Sequence, residues 1–378
     1  MYLKLKRCRT VHPLSGDEEV VDIGVRDGVV DTVGAVRDAR ADKVVDAKED
    51  YVVPALVDLH THVYHLGTSL GVNADEVAKH SGVGVFVDAG SAGAGNFAGF
   101  REYVIRRSNS RIYSFLNIGF GGIPFFGIQK DSQAGEIPDL RVADAEACGN
   151  CVRANREHIV GIKVRLSKMA NGALGVQPLV VAKRCAKSLG LPVMAHFGKP
   201  PPSVREVVNL LEKGDVLTHT FRPEPNSILG EPGTGVLEEL KEAKKRGVVI
   251  DVGHGMGGIS FDVAKAALAD GFEPDTISTD IHSLSLPSPV HDLETTMSKF
   301  LNLGMQMSKV IKAVTYTPAK AIGKLEHGTV SPSAAANLVM LRVSKSKVVM
   351  KDATGKRMTF GKVIRPVLRV TGKEIRKM

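Results

Sequence analysis

Short apolar, β-branched runs recur through the middle of the chain at residues 52–60, 83–89, 112–118, 159–165, 192–196, 216–219, 248–254 and 276–280, with amphipathic stretches in the gaps. Runs of this length bounded by turns suit strands buried on both faces, and the gaps are long enough for the helical crossovers that parallel strands need. Eight such alternations over about 270 residues match an α/β fold of the (β/α)8 TIM-barrel type. The two ends read differently. Residues 2–7, 20–25, 29–33 and 43–45 are strand-like, with the turn pair Asp27-Gly28 between the second and third, and residues 336–343, 347–350 and 362–370 repeat that character. The expectation is a small β-sandwich domain formed by both termini, residues 1–52 and 328–378, beside a barrel over residues 53–327.

The bulk composition agrees with a folded body of enzyme size. Of 378 residues, 43% are hydrophobic and 24% charged, and there are 39 glycines, a turn-rich and apolar mixture that a disordered chain lacks. No run approaches the roughly 18 to 20 apolar residues of a membrane helix, and the opening MYLKLKRCRT lacks a signal-peptide core. The expected location is cytoplasmic, with no membrane partner. Four cysteines are too few for a disulfide scaffold. Cys148 and Cys151 have redox or zinc spacing in a helical-looking stretch, which reads as a helix-surface coincidence or a structural disulfide rather than a metal site.

The net charge of +9 suggests nucleic acid until it is located. Between Arg342 and Met378 stand twelve Lys or Arg against Asp352 and Glu374, so the rest is close to neutral. This stretch has one aromatic residue, Phe360, and no nucleic-acid motif, so a solvated basic face is the favoured reading and no nucleic-acid partner is expected.

Chemistry gathers at the C-terminal ends of the central runs: His60 and His62, Lys163, His196, His219, His254 and Asp280. Parallel barrel strands bring these ends to one rim, where active sites of this fold are built. A single histidine there is unremarkable; five with a lysine and an aspartate suit nitrogen and oxygen ligation of a metal. His60 and His62 lie two apart at a strand end and so share a side. An ammonium cannot ligate, but the Lys163 amine can add carbon dioxide, becoming a carbamate whose two oxygens bridge two ions. Arg165 shares the side of Lys163, which suits either a substrate carboxylate or an ion pair. His254, in the turn DVGHGMGG, contacts substrate or is a structural histidine. The glycine-rich stretch from Gly90 reads as an active-site loop, without the order of a phosphate-binding motif.

The segments VVPALVDLHTHVYH, GIKVRLS, PVMAHFGKPP, GDVLTHTF, DVGHGMGG and DTISTDIHS resemble, in order and spacing, the amidohydrolase superfamily. GFEPDTISTDIHS, TTMSKFLNLGM and VTYTPAKAIGKLEHGTV are similar to its deacetylase or dihydroorotase-like metallohydrolases. The resemblance covers nearly the whole chain. It implies two divalent ions, with zinc favoured by the donor types: one held by His60, His62, carboxylated Lys163 and Asp280, the other by Lys163, His196 and His219. A bridging hydroxide would attack an amide or ester of a small N-acyl or O-acyl substrate, with Asp280 as the catalytic proton carrier or as a plain ligand.

Three positions depart from the family pattern: Pro54-Ala55 in place of Pro-Gly, Asn337 in place of aspartate, and the segment SPSAAAN. None touches the expected metal site. Dihydroorotase-like members carry an arginine two residues after the second histidine, where this chain has Tyr64. That favours deacetylase-like hydrolysis over cyclic-amide hydrolysis. A non-catalytic interaction protein of the same fold is a third reading, disfavoured because every expected ligand is present. The oligomeric state stays open, a homo-oligomer included.

Overall fold

A computed structural model describes residues 1–36, 41–123, 136–231 and 233–378. The first sheet takes strands from both ends of the chain. β1 (Tyr2–Val11), β2 (Glu18–Arg26), β3 (Val29–Gly34), β4 (Lys43–Asp46) and β5 (Tyr51–Pro54) join β13 (Asn337–Lys351), β14 (Arg357–Thr371) and β15 (Glu374–Lys377) in the order β15-β14-β13-β5-β1-β2-β3, with β4 alongside β1. The β2–β3 hairpin turns at Asp27-Gly28, both with positive φ, 51° and 86°, the geometry that keeps a two-residue turn in step with strand twist. Leu3, Leu5, Ile23, Val25, Val52, Leu338 and Met340 form the core of this sheet.

Seven parallel strands follow in sequential order: β6 (Leu56–Thr61), β7 (Val83–Gly93), β8 (Arg111–Asn117), β9 (Ile159–Leu166), β10 (Val193–Phe197), β11 (Val216–Thr218) and β12 (Val249–Ile250). The eighth expected strand, residues 276–280, is not regular, but it closes the barrel. It bridges β12 through Asp251 with Thr276 and β6 through Thr61 with Ile281. The Asp280 amide donates to the His60 carbonyl at 2.7 Å and the His62 amide to the Ile281 carbonyl at 2.9 Å. Helices between the strands cover the outside, as the TIM-barrel fold requires.

Several boundaries differ from the sequence expectation for physical reasons. The run 52–60 is two strands divided at Ala55: Tyr51–Pro54 pairs with β13 in the terminal sheet, while Leu56–Thr61 enters the barrel. One apolar run supplies both because each half is buried. The runs 336–343 and 347–350 are one strand, β13, interrupted only by an irregularity between Lys345 and Val348. Along the barrel strands, Val85, Val87, Tyr113, Phe115, Met194 and Val216 pack together as one cluster, while the alternate set, including Phe86, Ile112, Leu116, Ile162 and Leu217, packs under the helices. Lys163, His196 and Thr218 continue this alternation to the C-terminal rim, and the register pairs Asn117 with Lys163 and His196 with Thr218.

Candidate metal centre

His60 stands one residue before the end of β6. Its Nδ1 lies 2.8 Å from Thr218 Oγ1 and its Nε2 is 3.4 Å from both Lys163 Nζ and Asp280 Oδ1. His62 follows with Nδ1 2.8 Å from Ser91 Oγ and Nε2 3.1 Å from the same Asp280 oxygen. His219 comes straight after Thr218, and a regular strand would point the two oppositely. A φ of 65° at His219 turns its ring inward as well, 4.9 Å from the His60 ring, with Nδ1 2.7 Å from the Gly253 carbonyl oxygen. Asp280 also has positive φ, 47°. Non-glycine residues in this conformation cost of order 1–3 kcal/mol and persist where surrounding structure imposes them, commonly at functional sites.

The ligand-capable atoms of His60, His219 and Asp280 all lie within 4.8 Å of one another, and all three residues are buried. His196 joins through its ring, 4.4 Å from that of His219 and at 80° to it. Nitrogen and carboxylate donors so close are the set a divalent metal ion takes. The electrostatics agree. Burial pushes His60 and His196 well below the ordinary imidazole range and His219 down to about 3, so these rings are neutral and keep a lone pair. Burial opposes ionisation of Asp280, yet the facing His60, the His62 hydrogen bond and His219 hold its carboxyl well below the usual carboxylate range. Lys163 is fully buried, and burial pushes its amine down to about 7.

Two glycines make room for these groups. A Cβ on Gly90, whose φ is 84°, would stand 2.6 Å from Lys163 Cγ; one on Gly255, with φ 43°, would stand 2.0 Å from Asp280 Oδ2. The glycine-rich stretch after β7 therefore begins inside the strand, as space for Lys163.

The other residues singled out in the sequence lie nearby with their own partners. Arg165 donates to Glu136 Oε1, and the second Glu136 oxygen accepts from Asn117 Nδ2 at 3.1 Å. His254 is fully buried; its Nε2 is 2.7 Å from Lys299 Nζ and its Nδ1 2.9 Å from the Gly255 carbonyl oxygen, so both ring nitrogens are engaged within the protein. Cys148 is buried and Cys151 half-buried on helix Ala145–Ala154, and both are free thiols. Tyr64 stacks on Phe100 at 4.6 Å and donates its hydroxyl to the Asn96 carbonyl at 3.2 Å.

Several neighbours of these residues carry no motif that marks them in the sequence. Asp251, fully buried, accepts from the hydroxyls of Thr276 at 2.6 Å, Thr218 at 2.7 Å and Ser278 at 2.8 Å. Asp88 accepts from the amides of Val63 at 2.9 Å and Ser91 at 2.8 Å. His282, two residues beyond Asp280, lies with its ring 6.2 Å from His62, and burial lowers it to about 4. The available signal was buried-strand polarity: Asp88, Thr218 and Asp251 interrupt apolar runs.

No helix among the described residues is long and apolar enough to cross a membrane. Comparison with known proteins agrees with the geometry. A deacetylase of Brucella anthropi is 37% identical over 356 residues, spanning 92% of this chain and 86% of that protein. A deacetylase of Agrobacterium fabrum is 41% identical over 303 residues, spanning 78% and 72% respectively. A crystal structure described as a dihydroorotase superposes with a TM-score of 0.89 at 35% identity, covering 100% of this chain and 98% of the other. The model of the amidohydrolase family matches residues 51–364, and the chain belongs to that family of hydrolases, built as a TIM barrel with a terminal β sheet and acting on carbon–nitrogen bonds of small molecules.

Proposed function

We propose that the chain is a binuclear metal-dependent deacetylase, cleaving the amide or ester of a small N-acyl or O-acyl substrate. The observation that carries this reading is the convergence of His60, His219 and Asp280 within 4.8 Å, with the buried Lys163 amine 3.4 Å from His60 Nε2. His60, His62, Lys163 and Asp280 would hold one ion, and Lys163, His196 and His219 the other, with zinc suited to this donor set. When bound, the metal pair supplies an acidified water and polarises the scissile carbonyl.

The chain's own groups do the rest. The neutral Lys163 amine adds carbon dioxide: its lone pair forms the N–C bond, one proton leaves to solvent, and the carbamate offers two oxygens in place of one nitrogen. Burial favours this step by keeping the amine uncharged near neutral pH. Asp280, ionised and facing the site, accepts the proton of the attacking water at a carboxylate oxygen and returns it to the departing nitrogen or oxygen. Arg165 is our candidate for a substrate carboxylate. The place proposed for His254 is beside the substrate, through the turn that carries Gly255 rather than through its engaged ring nitrogens. We also take residues 1–52 and 328–378 as the small domain and 53–327 as the catalytic barrel.

A cyclic-amide hydrolase is the second reading, favoured by the likeness to the structure described as a dihydroorotase. Against it stands Tyr64, which is tied to Phe100 and Asn96 at the position where an arginine would serve. The test is elemental analysis of the purified protein followed by a screen of N-acyl amino acids, O-acyl hydroxy acids and cyclic amides with the metal-loaded enzyme. Two equivalents of metal and acyl-group release are expected. Absence of metal binding even after supplementation overturns the reading, and turnover confined to cyclic amides transfers it to the second.

A further inference from the structure

Both histidines of the first motif turn Nδ1 away from Asp280 and toward a hydroxyl, and for His60 that hydroxyl is itself bonded to a buried carboxylate. For His60 the hydroxyl is Thr218, at 2.8 Å, and Thr218 donates its only hydroxyl hydrogen to Asp251 Oδ2 at 2.7 Å. For His62 it is Ser91, also at 2.8 Å, whose amide donates to Asp88 Oδ1 at 2.8 Å. A hydroxyl has one hydrogen. The Thr218 hydrogen is committed to a carboxylate, so its oxygen can only accept from the ring, and Nδ1 of His60 carries the proton. Nε2 of His60 is then a lone pair, 3.4 Å from Lys163 Nζ and 3.4 Å from Asp280 Oδ1.

We propose that Thr218 is a positioning residue, completing a carboxylate–hydroxyl–imidazole relay, Asp251–Thr218–His60, that fixes His60 as its Nδ1–H tautomer with Nε2 aimed at the metal position. The relay is built to be rigid. Asp251 is fully buried and is held by two further donors, Thr276 and Ser278. It ties β6, β11 and the end of β12 to the irregular eighth segment. Metal-ligating histidines commonly donate their second nitrogen directly to a carboxylate or carbonyl; His219 does so to the Gly253 carbonyl. Here a hydroxyl is interposed, which sets the carboxylate back: Asp251 Oδ2 is 3.8 Å from His60 Nδ1.

The inference rests on reading His60 as a ligand, and the experiment separates the two. Zinc affinity is measured by competition with a chromophoric chelator for the wild type, Thr218→Val and Thr218→Ser. The ring nitrogens of the metal-free proteins are observed by ¹⁵N NMR. Thr218→Val should weaken zinc binding about 10- to 100-fold, the range for lost partners of ligating histidines, while Thr218→Ser restores it. In the metal-free wild type, His60 should be the Nδ1–H tautomer, and Thr218→Val should shift it toward a mixture. Equal zinc affinity in Thr218→Val and wild type, loss in Thr218→Ser as large as in the valine variant, or an Nε2–H form of His60 in the wild type would each overturn the relay. Failure of the wild type to bind zinc would overturn the ligand reading instead, and the tautomer measurement would still decide the relay.

Discussion

At the scale of single residues, the site concentrates groups whose ordinary charge states burial and neighbours have displaced. Asp280 is the test of the proton role. Asp280→Asn keeps a similarly shaped oxygen but removes the titratable carboxylate, so kcat should fall by about 10²- to 10⁴-fold, the usual contribution of general acid–base catalysis, while much of the metal remains. Full metal content with near-normal kcat would leave Asp280 as a ligand only. Lys163 is tested differently. Its amine is buried and lowered to about 7, so incubation with ¹³C-bicarbonate should give a carbamate resonance in the metal-loaded wild type. Lys163→Ala should lose that resonance and most bound metal, and short carboxylic acids should restore part of the binding. A metal-replete, active enzyme without the resonance would refute carboxylation.

At the scale of elements, the cluster proposed to supply the ligands was legible because its residues sit where apolar strands end, and a parallel barrel must gather those ends. The order of strands and the Asp27-Gly28 hairpin were legible for the same kind of reason: buried runs and turn chemistry are local. What surrounds that cluster was less so. Thr218 and Asp251 become partners of His60 only when three barrel segments close, across 158 positions in the case of His60 and Thr218. The division of 52–60 at Ala55 depends on which sheet claims each half, and apolarity cannot tell two buried strands from one. The eighth segment reads as a strand yet pairs irregularly, because it must turn Asp280 inward with positive φ. That turn needs its neighbour to be small. Gly255→Ala would place a Cβ 2.0 Å from Asp280 Oδ2 at a φ of 43°, so the carboxylate must move. A displacement near 1 Å can cost about 10²-fold in rate, and a loss of this order in kcat/KM is expected while the apo protein stays folded by circular dichroism. Unchanged kcat/KM would show that the loop yields without moving Asp280.

At the scale of the whole molecule, the terminal sheet is fastened to the barrel through helix Leu293–Leu303. Ser298 Oγ accepts from the Ile364 amide at 2.9 Å, and Asn302 Oδ1 accepts from the Gly361 and Lys362 amides, both at 3.0 Å. Asp352, in the β13–β14 turn, accepts from the Phe261 amide at 2.8 Å. Glu294 opens the same helix fully buried, accepting from the Gly82 amide at the entry to β7, while its Oε2 has no hydrogen-bond partner among the described residues. Burial, with Asp292 and Asp58 adding to it, pushes the Glu294 carboxyl up to about 8. The sign follows from linkage. Below the ordinary glutamate value of 4.5 the group is protonated in both folded and unfolded chains; between there and about 8 the folded protein keeps a proton that the unfolded chain has released. The stabilisation is complete in acid and is lost as pH rises through about 8. Glu294→Gln is neutral at every pH and keeps an oxygen for the Gly82 amide. Its melting temperature should therefore gain on that of the wild type by on the order of 10 °C between about pH 5 and pH 9, at matched metal content, given about 1.4 kcal/mol per pH unit and about 2–4 °C per kcal/mol in a large domain. A melting difference independent of pH would mean that Glu294 is ionised within the fold, and that another group must neutralise it at this junction.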